Sequence, residues 1–330
     1  MSVTSASLPP SLTKSTARLP RSRERTESVT RSDHMWELPE PSSTLDVPVG
    51  DDTVITLRRH GNPAGPRLVL SHGSGLAIDL YYPFWSLLTD DFDLIVYDLR
   101  NHGRNALGPL AGHHVPALAR DQDLVFAAID AHYGNEPKIG VYHSVSSLVT
   151  LLAPSNGSEL AALVMFDPPL RKPGLTHEEY DDASLRNAAM ARARMRQFAS
   201  RQVLADLAQL SPNFRHVVPG VLELLAETTL RESPSGDGYE LICPPEYESQ
   251  LMEYGRIYAV GVDLLGFGCP LKVIGADPTL PYAFLPTMDL SEMAGVNYDF
   301  LPDATHLLQL EQPESCVALM LEFLEEQGLI

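Results

Sequence analysis

The sequence predicts an α/β domain: a mostly parallel, doubly wound sheet with a helical cap inserted between two late strands. Three observations predict it. From residue 44 onward, short continuously apolar runs alternate with stretches of helical spacing, as expected for strands covered by helices on both faces. Between about residues 171 and 255 the alternation stops, and helical patterns follow one another without a strong β-run. The chain has 330 residues, 44% of them hydrophobic and 20% charged, enough for one large domain or a domain with a sizeable insertion.

Residues 1–35 are rich in Ser, Thr, Arg and Pro, lack aromatics and hold six basic against three acidic residues. Such a composition cannot offset its ordering entropy by burial, so a disordered basic tail is expected. It has no apolar stretch of the secretory type, and Glu24, Glu27 and Asp33 speak against an organellar leader. Met35 is an alternative start.

TLDVPV and TVITLRRHG flank a Gly-Asp-Asp turn and predict a hairpin. PRLVLSHGSG predicts a strand ending in glycines, followed by a helix around Tyr82–Leu88 and the strand FDLIVYDLR. Val115–Tyr133 places Leu118, Leu124, Val125, Ala128 and Ile129 at helical spacing. KIGVYHS, SVSSLVTLL and ELAALVMFDPPL read as strand, helix and strand. The insertion carries three helical stretches and a Ser-Pro-Ser-Gly-Asp-Gly turn at 233–238. The β/α rhythm then resumes with PLKVIGAD, a helix near 283–294, VNYDFLP and a final helix from about Pro313 to Glu326. The expected division is 1–35 tail, 36–170 and 256–330 core, and 171–255 cap.

Charge and composition narrow the function. The net charge of −19 repels phosphate backbones and disfavours nucleic acid as a partner. No apolar run reaches 18 residues, so no membrane-spanning helix is expected. Cys243, Cys269 and Cys316 are odd in number and widely spaced. They suit buried small side chains in a reducing, cytoplasmic setting better than disulfides or a zinc cluster. His113-His114 lacks the spacing of a third ligand and reads as a solvated pair. No metal or cofactor is expected, the partner is a small-molecule substrate, and oligomeric state is not readable.

Parallel sheets place reactive groups at the carboxyl ends of their strands. Ser144, between a strand and a helix, would have its hydroxyl pushed out by a sharp turn; as a bland alternative it is a helix N-cap. After an earlier strand, His72-Gly73-Ser74-Gly75 forms a glycine-flanked turn. The N–H of Ser74, with that of Val145, is a candidate donor for an oxyanion, and His72 is expected to brace the loop. Asp277 and Asp167 each follow a strand, where a carboxylate orients an imidazole or merely forms a turn. His306 lies between the last strand and the final helix, with the ordinary titration range of a general acid–base.

These stretches resemble the α/β-hydrolase superfamily from about residue 45 to the C-terminus: LVLSHGSG, DLIVYDLRNHG, VYHSVSSL, VMFDPP, VIGAD and THLLQLEQPE. The resemblance implies the order Ser, Asp, His and a nucleophile turn of the form G-x-S-x-G. Here Tyr142 and Ser146 stand at the two glycine positions, and the bulky Tyr142 is the main departure. Asp98, Arg100, His102 and Gly103 fall in a loop the family uses for bracing.

The implied mechanism is a Ser144–His306–Asp277 relay, with Asp167 as the alternative acid and with Ser74 and Val145 N–H groups holding the oxyanion. It would cleave an ester-like bond of a small or medium, partly apolar substrate through an acyl-enzyme. Lactone, thioester or C–C bond cleavage are alternative chemistries. A small-molecule receptor or an inactive binding protein on the same fold are alternative functions. In the cap, Met190, Met195, Phe198, Phe214, Leu222, Leu224, Leu225, Tyr247, Met252 and Tyr254 are expected mainly to pack, with a minority lining an acyl pocket. Arg192, Arg194 and Arg196 are expected to be solvated.

Overall fold

A computed structural model describes residues 36–50, 52–171, 176–280 and 295–330. The expected tail and the helix near 283–294 lie outside the described residues.

Strands β1 (Ser43–Gly50) and β2 (Thr53–Gly61) form the predicted hairpin. Then come β3 (Arg67–Ser71), α1 (Tyr82–Trp85), β4 (Asp93–Tyr97), α2 (Val115–Tyr133), β5 (Lys138–His143), α3 (Val145–Leu151) and β6 (Ala162–Phe166). The intervening segment holds α4 (His177–Arg192), β7 (Gln197–Phe198), α5 (Arg201–Leu210), α6 (Val221–Thr229), β8 (Leu230–Glu232), β9 (Tyr239–Leu241) and α7 (Pro245–Ala259). The chain closes with β10 (Leu271–Gly275), β11 (Asn297–Phe300), α8 (Leu308–Glu311) and α9 (Pro313–Glu326).

Eight strands form one sheet in the order β1-β2-β4-β3-β5-β6-β10-β11. Among the described strands of this sheet, only β1 with β2 and β2 with β4 run antiparallel. The central strands are buried along their whole length, which explains their unbroken apolar runs. Alternate residues serve opposite layers. Val69, Ile95, Tyr142, Met165 and Val273 pack with α2, α3 and α7. Leu70, Val96, Val141, Val164 and Ile274 pack with α1, α6 and α9. Charged residues that head strands are neutralised there: Arg67 bonds Asp93 (2.9 Å), and Lys138 bonds Asp130 (2.6 Å).

The segment inserted between β6 and β10 is not wholly helical. Strands β7, β9 and β8 form a small antiparallel sheet in that order. Strands of two or three residues are too short to leave a period in the sequence. Helix α7 runs four residues beyond the expected boundary at 255. Helix α4 starts on a capping box, in which Thr176 accepts from the Glu179 N–H and Glu179 accepts from the Thr176 N–H.

Arg192, Arg194 and Arg196 are exposed, as expected, and each is also paired with a carboxylate of this segment. Arg192 bonds Glu253, Arg194 bonds Glu248 and Arg196 bonds Glu246. All three carboxylates belong to α7, so the basic run fastens the end of α4 and the chain after it to that helix. The three cysteines are unpaired, with Cys243 and Cys316 buried.

Candidate active site

Strand register brings the reactive groups together. His143 on β5 pairs with Phe166 on β6, so the next residues along, Ser144 and Asp167, leave the sheet side by side. Both have left-handed backbones, with φ of 54° and 40°, a conformation costly for residues with a Cβ. The turn at Ser144 is held by its N–H on the Phe166 carbonyl (2.9 Å), and its own carbonyl accepts from the Ser147 N–H (3.0 Å). Ser146 closes the turn, its hydroxyl accepting from the His143 N–H (3.0 Å) and donating to the His143 carbonyl (2.8 Å).

Tyr142 fits beside this turn because Gly140 leaves room for its ring. A Cβ on Gly140 would lie 2.7 Å from Tyr142 Cε2, so the ring occupies the space that Gly140 leaves open. Tyr142 is fully buried, its hydroxyl set against the Tyr97 hydroxyl and the Gln122 side chain. Burial pushes its phenol well above the usual range.

His306 stands between the two strand ends. Its Nδ1 is 2.6 Å from Asp167 Oδ2 and its Nε2 is 3.1 Å from Ser144 Oγ. A carboxylate only accepts, so the proton sits on Nδ1 and the Nε2 lone pair faces the serine hydroxyl. The side chain of Asp167 is only 5% exposed, and its Oδ1 accepts from the Ala276 N–H (3.3 Å).

The expected Asp277–His306 contact is corrected: the carboxylate on His306 is that of Asp167. Register gives the reason. Strand β6 lies between β5 and β10, with Phe166 paired to Ile274, so Asp277 is one strand further from Ser144 and two residues further out. Its carboxylate is occupied by the Thr279 N–H and hydroxyl (2.8 and 2.6 Å) and by the Asp303 N–H (2.8 Å). These bonds hold it below the usual carboxylate range, the Thr279 hydroxyl contributing most. Asp277 therefore pins the loop that leads to His306. Glu311 pins it from the other side, accepting from the Thr305 N–H (2.6 Å) and paired with the Thr305 hydroxyl.

Ser74 and Val145 line a cavity of about 470 Å³ beside Ser144 and His306. Neither backbone N–H has an acceptor among the described residues. The loop beneath them is braced as expected. His72 accepts from the Leu99 N–H (3.0 Å), and His102 accepts from the Gly75 N–H (3.0 Å). Asp98 accepts from Arg58 (3.0 Å) and from the Ile78 N–H (2.8 Å). Gly103 lies so close to Asp98 that a Cβ there would overlap its carboxylate, at 2.2 Å.

Six of the ten apolar residues singled out in the insertion line the cavity: Met190, Met195, Phe198, Phe214, Leu225 and Met252. They form the majority rather than the expected minority. Arg194 and its partner Glu248 also face the cavity. Sequence reasoning missed His143, which is buried between Tyr81 and His306. Its only signal was adjacency to Ser144.

His113 is buried, unlike the solvated residue expected, and burial lowers it to about 3. It groups with His102 and Cys243, whose ligand-type atoms lie within 4.8 Å of one another. The lone pairs there are taken. Asn101 Oδ1 accepts from the Gly108 N–H, so its amide nitrogen donates to His113 Nδ1 and leaves a proton on Nε2. His102 gives its proton to the Arg100 carbonyl and accepts from Gly75. Neither imidazole, bonded in this way, has a lone pair left for a metal. No described helix is long and apolar enough to cross a membrane.

Comparison with known proteins adds the family. Among solved structures, E-2-(acetamidomethylene)succinate hydrolase superposes with a TM-score of 0.68 at 19% identity, covering 86% of this chain and 99% of that one. The thioesterase domain from the curacin biosynthetic pathway gives 0.63 at 14%, covering 85% and 100%. A thermophilic esterase from Thermogutta terrifontis gives 0.61 at 20%, covering 87% and 99%. At these identities the likeness is one of fold. No curated protein matches the sequence. Residues 68–319 match the family described as alpha/beta hydrolase, and the chain belongs to that family.

Proposed function

We propose that the protein is a serine hydrolase that cleaves an ester-like bond of a small or medium, largely apolar substrate. The observation that carries the reading is the unbroken row from Asp167 Oδ2 through His306 to Ser144 Oγ. His306 takes the Ser144 proton as the oxygen attacks the substrate carbonyl. Asp167 keeps the imidazole in the required tautomer and stabilises its charged form. The tetrahedral oxyanion is held by the N–H groups of Ser74 and Val145. His306 then protonates the leaving group and activates the water that releases the acyl group from Ser144.

The segment between β6 and β10 acts as a cap. Its methionines and phenylalanines give the acyl pocket an adaptable apolar wall, and Ser144 and His306 lie in the same cavity. Ser144→Ala should abolish hydrolysis of p-nitrophenyl esters and labelling by a fluorophosphonate probe while the thermal midpoint is kept. Unchanged turnover in that variant rejects the nucleophile assignment.

A further inference from the structure

The row of Ser144, His306 and Asp167 does not use His143, yet that side chain touches both Tyr81 and His306. Its Nε2 lies 2.8 Å from the backbone carbonyl of His306. A carbonyl only accepts, so Nε2 carries the proton and Nδ1 is left as an acceptor. The Tyr81 hydroxyl stands 2.6 Å from that Nδ1 and donates to it. The same hydroxyl oxygen accepts from the Gly73 N–H (3.3 Å). All three bonds are oriented consistently by a neutral His143.

Packing leaves these groups no second arrangement. Tyr81 and His143 are each 1% exposed. The His143 and His306 rings lie 4.7 Å apart. A Cβ on Gly73 would come within 2.8 Å of His143 Nδ1 and 3.3 Å of Ser144 Cβ, so the glycine lets the loop before Ser74 close onto the nucleophile turn. Burial, aided by the nearby His306, keeps His143 well below the usual histidine range and hence uncharged.

We infer that His143 is a positioning residue that clamps the backbone of His306 to the loop carrying Ser74, through Tyr81 and Gly73, and so fixes the imidazole relative to both Ser144 and the oxyanion donors. The inference rests on the proposed serine-hydrolase reading. Catalytic geometry is sensitive enough for this to matter, since a displacement of about 1 Å costs about 100-fold in rate.

The experiment compares the full-length parent with His143→Ala, His143→Gln and Tyr81→Phe. It measures kcat and KM on p-nitrophenyl esters, fluorophosphonate labelling rate and thermal midpoint. His143→Ala should lower kcat and labelling by about 30- to 100-fold with KM held within about threefold. His143→Gln keeps an N–H for the His306 carbonyl and an oxygen in the cavity left by the ring, and should recover about tenfold of that loss. Tyr81→Phe should lose about three- to tenfold in kcat, because the clamp is cut at its middle.

Folded His143→Ala protein with parental kcat and labelling overturns the inference, as does a Gln variant no better than Ala. If the Ala variant does not fold, the Gln and Phe variants decide, and parental kcat in both overturns it. Failure of the parent itself to label at Ser144 would instead reject the serine-hydrolase reading on which the inference stands.

Discussion

Exchanging each carboxylate for its amide separates the two aspartates that follow the late strands. In Asp167→Asn the orientation of the new amide is set by its neighbours. The Ala276 N–H, 3.3 Å from Oδ1, selects the amide oxygen for that side. The amide NH2 then takes the place of Oδ2, 2.6 Å from His306 Nδ1, where two donors would meet. His306 relieves this by moving its proton to Nε2, so an N–H rather than a lone pair faces Ser144 Oγ. The general base is lost although the fold is intact.

In a protease where the same exchange forces the wrong tautomer, kcat falls about 10⁴-fold. A loss of about 10³- to 10⁴-fold is expected here, a barrier increase of about 4–5.5 kcal/mol. Asp277→Asn keeps an oxygen for the Thr279 donors but turns an NH2 toward the Asp303 N–H. It should cost about 1–3 kcal/mol of stability and less than tenfold in kcat. Steady-state hydrolysis of p-nitrophenyl esters reads the rates, and urea denaturation reads the stability. If Asp277→Asn loses as much kcat as Asp167→Asn while remaining folded, the reading of His306 is refuted.

Three further outcomes follow from the packing. Gly140→Ala drives a methyl to 2.7 Å from the Tyr142 ring in a fully buried layer, so a loss of about 1–3 kcal/mol is expected in urea melts. A double-mutant cycle with Tyr142→Ala, in which the cost of Gly140→Ala shrinks by more than about 0.5 kcal/mol, would check the coupling. Tyr142→Phe removes a buried hydroxyl that interacts with Tyr97 and Gln122 and should cost about 1 kcal/mol in urea melts; an unchanged midpoint contradicts the account.

The third outcome concerns acid. Burial lowers His113 from 6.5 to about 3, so the unfolded chain binds its proton first as pH falls. Stability from this group is therefore complete above about pH 6.5 and drains away toward pH 3, at up to about 1.4 kcal/mol per pH unit. His113→Phe should flatten the dependence of unfolding free energy between pH 6.5 and 5, and an unchanged slope would contradict it.

Fold and site were legible in the sequence to different depths. The alternation of apolar runs with helical spacing sufficed for the doubly wound sheet, because strands such as LVL and LIVY are buried on both faces and tolerate no polar interruption. It failed for β7, β8 and β9, whose pairing depends on neighbours up to 43 residues apart, as Gln197 with Glu240 shows. The meeting of Ser144 and His306 was readable because each falls between an apolar strand run and a helical pattern, where a parallel sheet gathers its loops. The choice of acid was not readable. Asp167 and Asp277 have the same local setting, and what separates them is the order of β5, β6 and β10 across the sheet. His113 was misjudged for a related reason: its burial depends on Asn101 and Tyr247, neither adjacent in sequence.

Strand register also explains why two strained residues persist in one site. Ser144 and Asp167 both sit at positive φ, and each would cost about 1–3 kcal/mol if unsupported. Each is the first residue after a fully buried strand whose last backbone groups are still paired: the Ser144 N–H reaches the Phe166 carbonyl, and the Asp167 N–H reaches the Ile274 carbonyl, both at 2.9 Å. The sheet hydrogen bonding therefore continues one step past the strands and holds the turns against relaxation. The strain turns both side chains out of the sheet toward the imidazole between them. Relaxing either residue to an extended backbone would break a sheet bond and point its side chain back into a packed layer. The backbone separation of Asp167 and Ser144 is thus set by the spacing of adjacent strands, about 4.8 Å, and their side chains splay from it to reach opposite nitrogens of His306.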